Sequence, residues 1–163
     1  ANLTGSQEVP PVNTSGYGDA TLVLNDDETE LSYTVNVFGF DMFNIFTGDD
    51  DDNIVGLHIH AAPAGSNGGV VFGIYSPSQD ADLAINLTQQ KITFSGVWDA
   101  GDASSQTLLS QLTNLKNEGL YLNLHTEGVP SGEIRGQIVP EPSTAALALI
   151  GLGGFCVLRR RRR

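Results

Sequence analysis

Three histidines carry most of the chemical potential of this 163-residue chain: two stand together as His58-Ile59-His60, and the third is His125. Residues two apart on a β-strand project to the same face. His58 and His60 therefore share one side, while Leu57 and Ile59 take the other. The same rule sets Tyr121, Asn123 and His125 opposite Leu120, Leu122 and Leu124. In the segment that follows, Ile134 and Ile138 join the apolar side and leave Glu133, Arg135 and Gln137 with the histidines. If these strands are neighbours, three imidazoles, a carboxylate and a guanidinium gather on one patch.

Neutral imidazole suits copper and zinc, and three protein ligands leave a coordination position open. The candidate is a mononuclear site of His58, His60 and His125, with Glu133 as a further ligand or a support behind the ligands. Arg135 would steer an anionic substrate or pair with Glu133. The rival reading is plainer: a wet, polar sheet face on which the histidines hydrogen-bond to their neighbours. A second cation candidate is Asp49, Asp50, Asp51 and Asp52, introduced by Gly48, whose hard oxygens suit calcium. The run lacks the spaced acidic loop and distant glutamate of an EF-hand, so a solvated acidic loop competes with it. No nucleophile elbow, phosphate-binding glycine loop or cysteine nucleophile precedes the C-terminal segment. Carboxylate pairs such as Asp80 with Asp82, or Asp99 with Asp102, fall in expected loops.

Period-two alternation supplies the elements that position these groups. Ala20, Leu22 and Leu24 alternate with Thr21 and Val23; Asn25 to Glu28 forms a turn; Leu31, Tyr33, Val35 and Val37 then alternate with polar residues. Further strands are predicted at Ile54–Ala61, Val70–Tyr75, Ile92–Trp98, Leu120–Thr126 and Glu133–Val139, separated by Gly- and Pro-rich stretches. One helix, capped by Ser104 or Ser105, carries Leu108, Leu109, Leu112 and Leu115 before Gly119 ends it. The expectation is an all-β domain: an antiparallel sandwich or barrel of about seven strands with one crossover helix. The apolar cluster Met42, Phe43, Ile45 and Phe46 is expected to cover the core.

Charge and the C-terminus set the destination. All nineteen acidic residues lie at or before Glu141, where Lys91, Lys116 and Arg135 are the only basic ones. Such a surface repels nucleic acid and anionic lipid and favours cation binding. After Val139 come Pro140, Glu141 and Pro142, an uncharged run to Leu158, and Arg159 to Arg163. Residues 142–158 are just long enough for a transmembrane helix, and the arginines would stay on the cytoplasmic side. The lone cysteine, Cys156, lies in this run, so the body before it relies on core burial rather than disulfides. The division is a β domain over 1–139 and a sorting segment over 140–163. The chain is expected to begin after a removed secretion signal.

Two resemblances follow from these motifs. The block Val139-Pro140-Glu141-Pro142-Ser143-Thr144, with its short apolar stretch and arginine end, resembles the PEP-CTERM sorting signal of Gram-negative bacteria. That resemblance implies a transient membrane segment, processing by an exosortase, and cleavage near Pro140–Pro142. Glu8-Val9-Pro10-Pro11-Val12, Leu57 to His60 followed by Gly65 to Val71, and Tyr121 to Thr126 leading through Pro130 to Ile138 resemble the CHRD domain. Membership implies an extracellular β-rich module that binds or builds, without established shared catalysis. The histidine strands are also similar to the copper-ligand strands of Cu/Zn superoxide dismutase, but three histidines are too few for a dinuclear site. The leading expectation is an exported, non-catalytic surface or matrix protein whose partner is an extracellular polymer or surface protein. The alternatives are an exported copper or zinc protein with redox activity, and a calcium-dependent adhesion module.

Overall fold

The computed structural model describes residues 1–141. The sorting helix expected over 142–158 and the arginine end lie outside the described residues. Among the described residues no helix is long and apolar enough to cross a membrane.

Nine strands form the domain: β1 (Asn2–Thr4), β2 (Tyr17–Leu24), β3 (Leu31–Phe38), β4 (Ile54–Ala61), β5 (Gly69–Tyr75), β6 (Ala84–Thr88), β7 (Lys91–Trp98), β8 (Leu120–Thr126) and β9 (Ile134–Gln137). They build one antiparallel sheet in the order β5-β4-β8-β9-β1-β2-β3-β7-β6. The all-β expectation holds, with β1 and β6 added to the seven predicted strands. Both additions have physical reasons to be silent in the sequence: β1 has three residues, and every residue of β6 is exposed, so neither shows an alternating apolar face.

The sheet curls so that inward side chains from strands near its two ends touch. Phe72 of β5 stacks on Trp98 of β7 with centroids 4.8 Å apart and planes 12° from parallel, and Tyr75 meets Phe94 at 5.8 Å. These strands stand near opposite ends of the sheet order, so their inward side chains fill a single core. Leu57, Ile59, Leu122 and Leu124 from one end join Val35, Ile92 and Phe94 from the other. Each offset-stacked aromatic pair adds about 0.5–1.5 kcal/mol beyond the area it buries.

The helix α1 (Leu108–Lys116) starts at Thr107, whose hydroxyl accepts from the Ser110 amide at 3.3 Å. The cap is therefore not Ser104 or Ser105: the Ser104 hydroxyl instead donates to the Val71 carbonyl. Leu108, Leu112 and Leu115 are buried, but Leu109 is 76 % exposed. It sits one residue off the inward stripe. The apolar cluster after β3 also divides, since Met42 enters the core while Phe43 and Ile45 face solvent. Asp41 decides that geometry. It is fully buried and accepts from the Met42, Phe46 and Thr47 amides at 2.7–2.8 Å, folding the loop around its carboxylate. Burial opposes its ionisation, but the hydrogen bonds from Thr47, Phe46 and Met42 prevail and hold its pKa below the usual value.

Candidate metal centre

Strand pairing brings the three histidines together. β4 lies antiparallel to β8 with His58 opposite Asn123, His60 opposite Tyr121, and Gly56 opposite His125. One nitrogen from each of His58, His60 and His125 lies within 4.8 Å of the others. The ring centroids are 5.0 Å apart for His58 and His125, 5.8 Å for His58 and His60, and 5.9 Å for His60 and His125. Among the described residues this is the one cluster of three or more side chains placed to hold a metal.

Each ring is anchored at one nitrogen by a backbone carbonyl from a different loop. His60 Nδ1 donates to Gly68 at 3.0 Å, His125 Nδ1 to Pro130 at 3.0 Å, and His58 Nε2 to Ser76 at 3.3 Å. A carbonyl only accepts, so these contacts fix the proton on the anchored nitrogen. The opposite nitrogens, His58 Nδ1, His60 Nε2 and His125 Nε2, are then lone-pair bearers. All three are buried and have no hydrogen-bond partner. A polar cluster satisfied by its neighbours would not leave three such atoms in one place.

Electrostatics keep the rings neutral. Burial pushes the His58 pKa down to about 4, helped by His125 and His60 and opposed by the bond to Ser76. Burial also lowers His60 and His125; Arg135 acts in the same direction on both, and the carbonyl anchors oppose it. Neutral imidazole is the ligating form.

The neighbours hold the site from one side. The ring of His60 stacks on Tyr121 at 5.0 Å and 19°, and the Arg135 guanidinium carbon lies 4.1 Å from the centroid of that same Tyr121 ring. Arg135 is 4 % exposed and pairs with Glu8 at 3.0 Å, not with Glu133. Burial raises the Glu8 pKa against the pull of Arg135. The Glu133 oxygens accept from Thr14 at 2.6 Å and from the Thr126 hydroxyl. Thr126 also accepts from the Val129 amide, so Glu133 braces the turn that carries Pro130, the acceptor for His125. The acidic run is arranged differently. Asp49 accepts from the Asp51 amide, Asp50 from Asn44, and Asp52 from the Thr47 hydroxyl, and these carboxylates do not converge on a common point.

Several contributors left no mark in the sequence. Gly68, Ser76 and Pro130 act through backbone carbonyls, which have no side-chain signature. Glu8 belongs to a loop far from β9 in the chain. Gly56 was open to detection as a glycine inside a strand, a position that often marks close approach.

Fold and site together define an all-β domain with a three-imidazole cluster on its outer face. The CHRD domain model matches residues 1–138, and the PEP-CTERM protein-sorting motif matches residues 139–163. The chain belongs to the CHRD domain family. Its sorting motif marks it for export to the cell envelope and for processing by an exosortase-type enzyme. Comparison with curated proteins and with solved structures returns no significant match.

Proposed function

We propose that this exported domain binds one copper or zinc ion through His58, His60 and His125 and serves as a non-catalytic component of the cell surface or extracellular matrix. One observation carries the metal reading: three buried, unpaired ring nitrogens share a cluster whose opposite nitrogens are all anchored by carbonyls. That is how metal-ligating histidines are oriented, since a hydrogen bond at one nitrogen fixes the ring and strengthens the other as a donor. Metal–nitrogen distances of 2.0–2.1 Å put three ligands about 3.4 Å apart, so the cluster closes slightly when loaded. The order of affinities for such a set favours Cu(II) over Zn(II). Water or a ligand from outside completes the coordination shell. The partner we assign is an extracellular polymer or surface protein, a role that draws support from the sorting motif.

Calcium at Asp49–Asp52 is the weaker alternative, because Asp49, Asp50 and Asp52 already accept hydrogen bonds from within their loop. Calorimetric titration of the full chain with copper, zinc and calcium separates the readings. Stoichiometric copper or zinc binding, abolished in His58→Ala and in His125→Ala, is the expected result. A wild-type chain that binds neither removes the histidine site. Calcium binding lost on replacing Asp50 and Asp51 by Asn would promote the acidic loop instead.

A further inference from the structure

Arg135 is too enclosed to meet a substrate, yet its guanidinium reaches the loop that anchors His60. Nη1 donates to the Ser66 carbonyl at 2.9 Å, and Nη2 donates to Asn67 Oδ1 while pairing with Glu8. Asn67 passes the restraint on by donating to the Val9 carbonyl at 2.8 Å. The next residue, Gly68, gives its amide to the Tyr121 hydroxyl at 3.1 Å and its carbonyl to His60 Nδ1 at 3.0 Å. Gly68 packs closely on the end of β4, since a Cβ there would sit 1.9 Å from the Ala61 carbonyl oxygen.

We infer that Arg135 is a positioning residue for His60: braced by Glu8, it holds the loop between β4 and β5 so that the Gly68 carbonyl keeps the proton on Nδ1 and leaves Nε2 free to ligate. The inference rests on the metal reading only for its affinity readout; the proton position is a property of the protein alone. Arg suits the task because its planar fork reaches two loop acceptors and a carboxylate together, which a lysine ammonium cannot do in the same geometry.

The test uses the full chain, labelled with ¹⁵N, and two variants. Arg135→Lys retains a cation opposite Glu8 but loses the fork. Asn67→Ala removes one loop contact at an exposed residue and leaves the buried ion pair intact, so it decides the matter if the lysine variant does not fold. Long-range ¹H–¹⁵N spectra of the metal-free protein should show His60 protonated at Nδ1 in the wild type and mixed between its nitrogens in both variants, with His58 and His125 unchanged. Copper affinity should fall about tenfold, the low end for loss of a support behind a ligating histidine, with the far-ultraviolet circular dichroism unaltered. A wild-type His60 protonated at Nε2, or folded variants that keep the Nδ1 proton, would overturn the assignment. Loss of the Nδ1 preference in a protein that binds no metal would leave it standing and remove only the proposed function.

Discussion

Gly56 lies against His58: a Cβ built on it would stand 2.8 Å from the imidazole Cε1 and 3.4 Å from Nε2. The same Cβ would be 3.5 Å from Cδ2 of His125. The glycine therefore leaves the space in which two of the three rings turn. Gly56→Ala should displace the His58 ring and weaken copper binding by about tenfold, the cost of holding a side chain about 30° from its rotamer. Calorimetry on the folded variant measures it; unchanged affinity would show that the clearance has no bearing on the site.

Metal occupancy should register as stability. An ion that binds only the folded chain adds about 2.7 kcal/mol at a free concentration one hundred times its Kd. For a domain of this size that raises Tm by roughly 5–11 °C. Differential scanning calorimetry with and without copper, followed by excess chelator, should show the rise and its reversal.

The Phe72–Trp98 stack joins β5 to β7 across the core, so removing either ring should be severe. Phe72→Ala and Trp98→Ala should each cost about 3–5 kcal/mol. Their double-mutant cycle should return a coupling of about 0.5–1.5 kcal/mol, read from denaturant midpoints. Additive losses would mean that the two ends of the sheet are held independently.

Asp80 gives the domain a pH-dependent contribution. Its carboxyl accepts the Tyr33 hydroxyl and the Asp82 amide, and burial lifts its pKa to about 6, with Asp82 adding to the effect. The unfolded chain releases this proton near 3.8, whereas the folded chain keeps it until about 6. Between these values the folded state holds more protons, so stability contributed by Asp80 is present at low pH and declines as pH rises through the window. Denaturation midpoints from pH 4 to 7 should fall more steeply in the wild type than in Asp80→Asn. Parallel slopes would assign the dependence to other groups.

Much of the site was legible because its strands alternate cleanly. Leu57 and Ile59 are fully buried, and the faces assigned to His58, His60, Tyr121 and His125 follow from period two alone. That β4 and β8 are adjacent was not legible, since pairing across more than sixty residues depends on the whole sheet. Arg135 illustrates the limit. Its face was readable, but its partner was not, because Glu8 arrives on a loop that has no periodicity to betray where it packs. Leu109 failed for a different reason: on a helix of nine residues an apolar residue beside the stripe looks the same in sequence as one within it.

The last inward anchor among the described residues is Ile138, which is buried and donates its amide to the Leu120 carbonyl at 2.9 Å, whereas the next residue, Val139, is 54 % exposed. A peptidase cutting anywhere beyond Val139 severs no ladder bond and opens no cavity among the described residues. The payload is thus separable from its address label, and release into the surroundings would leave its architecture and its imidazole cluster as they were.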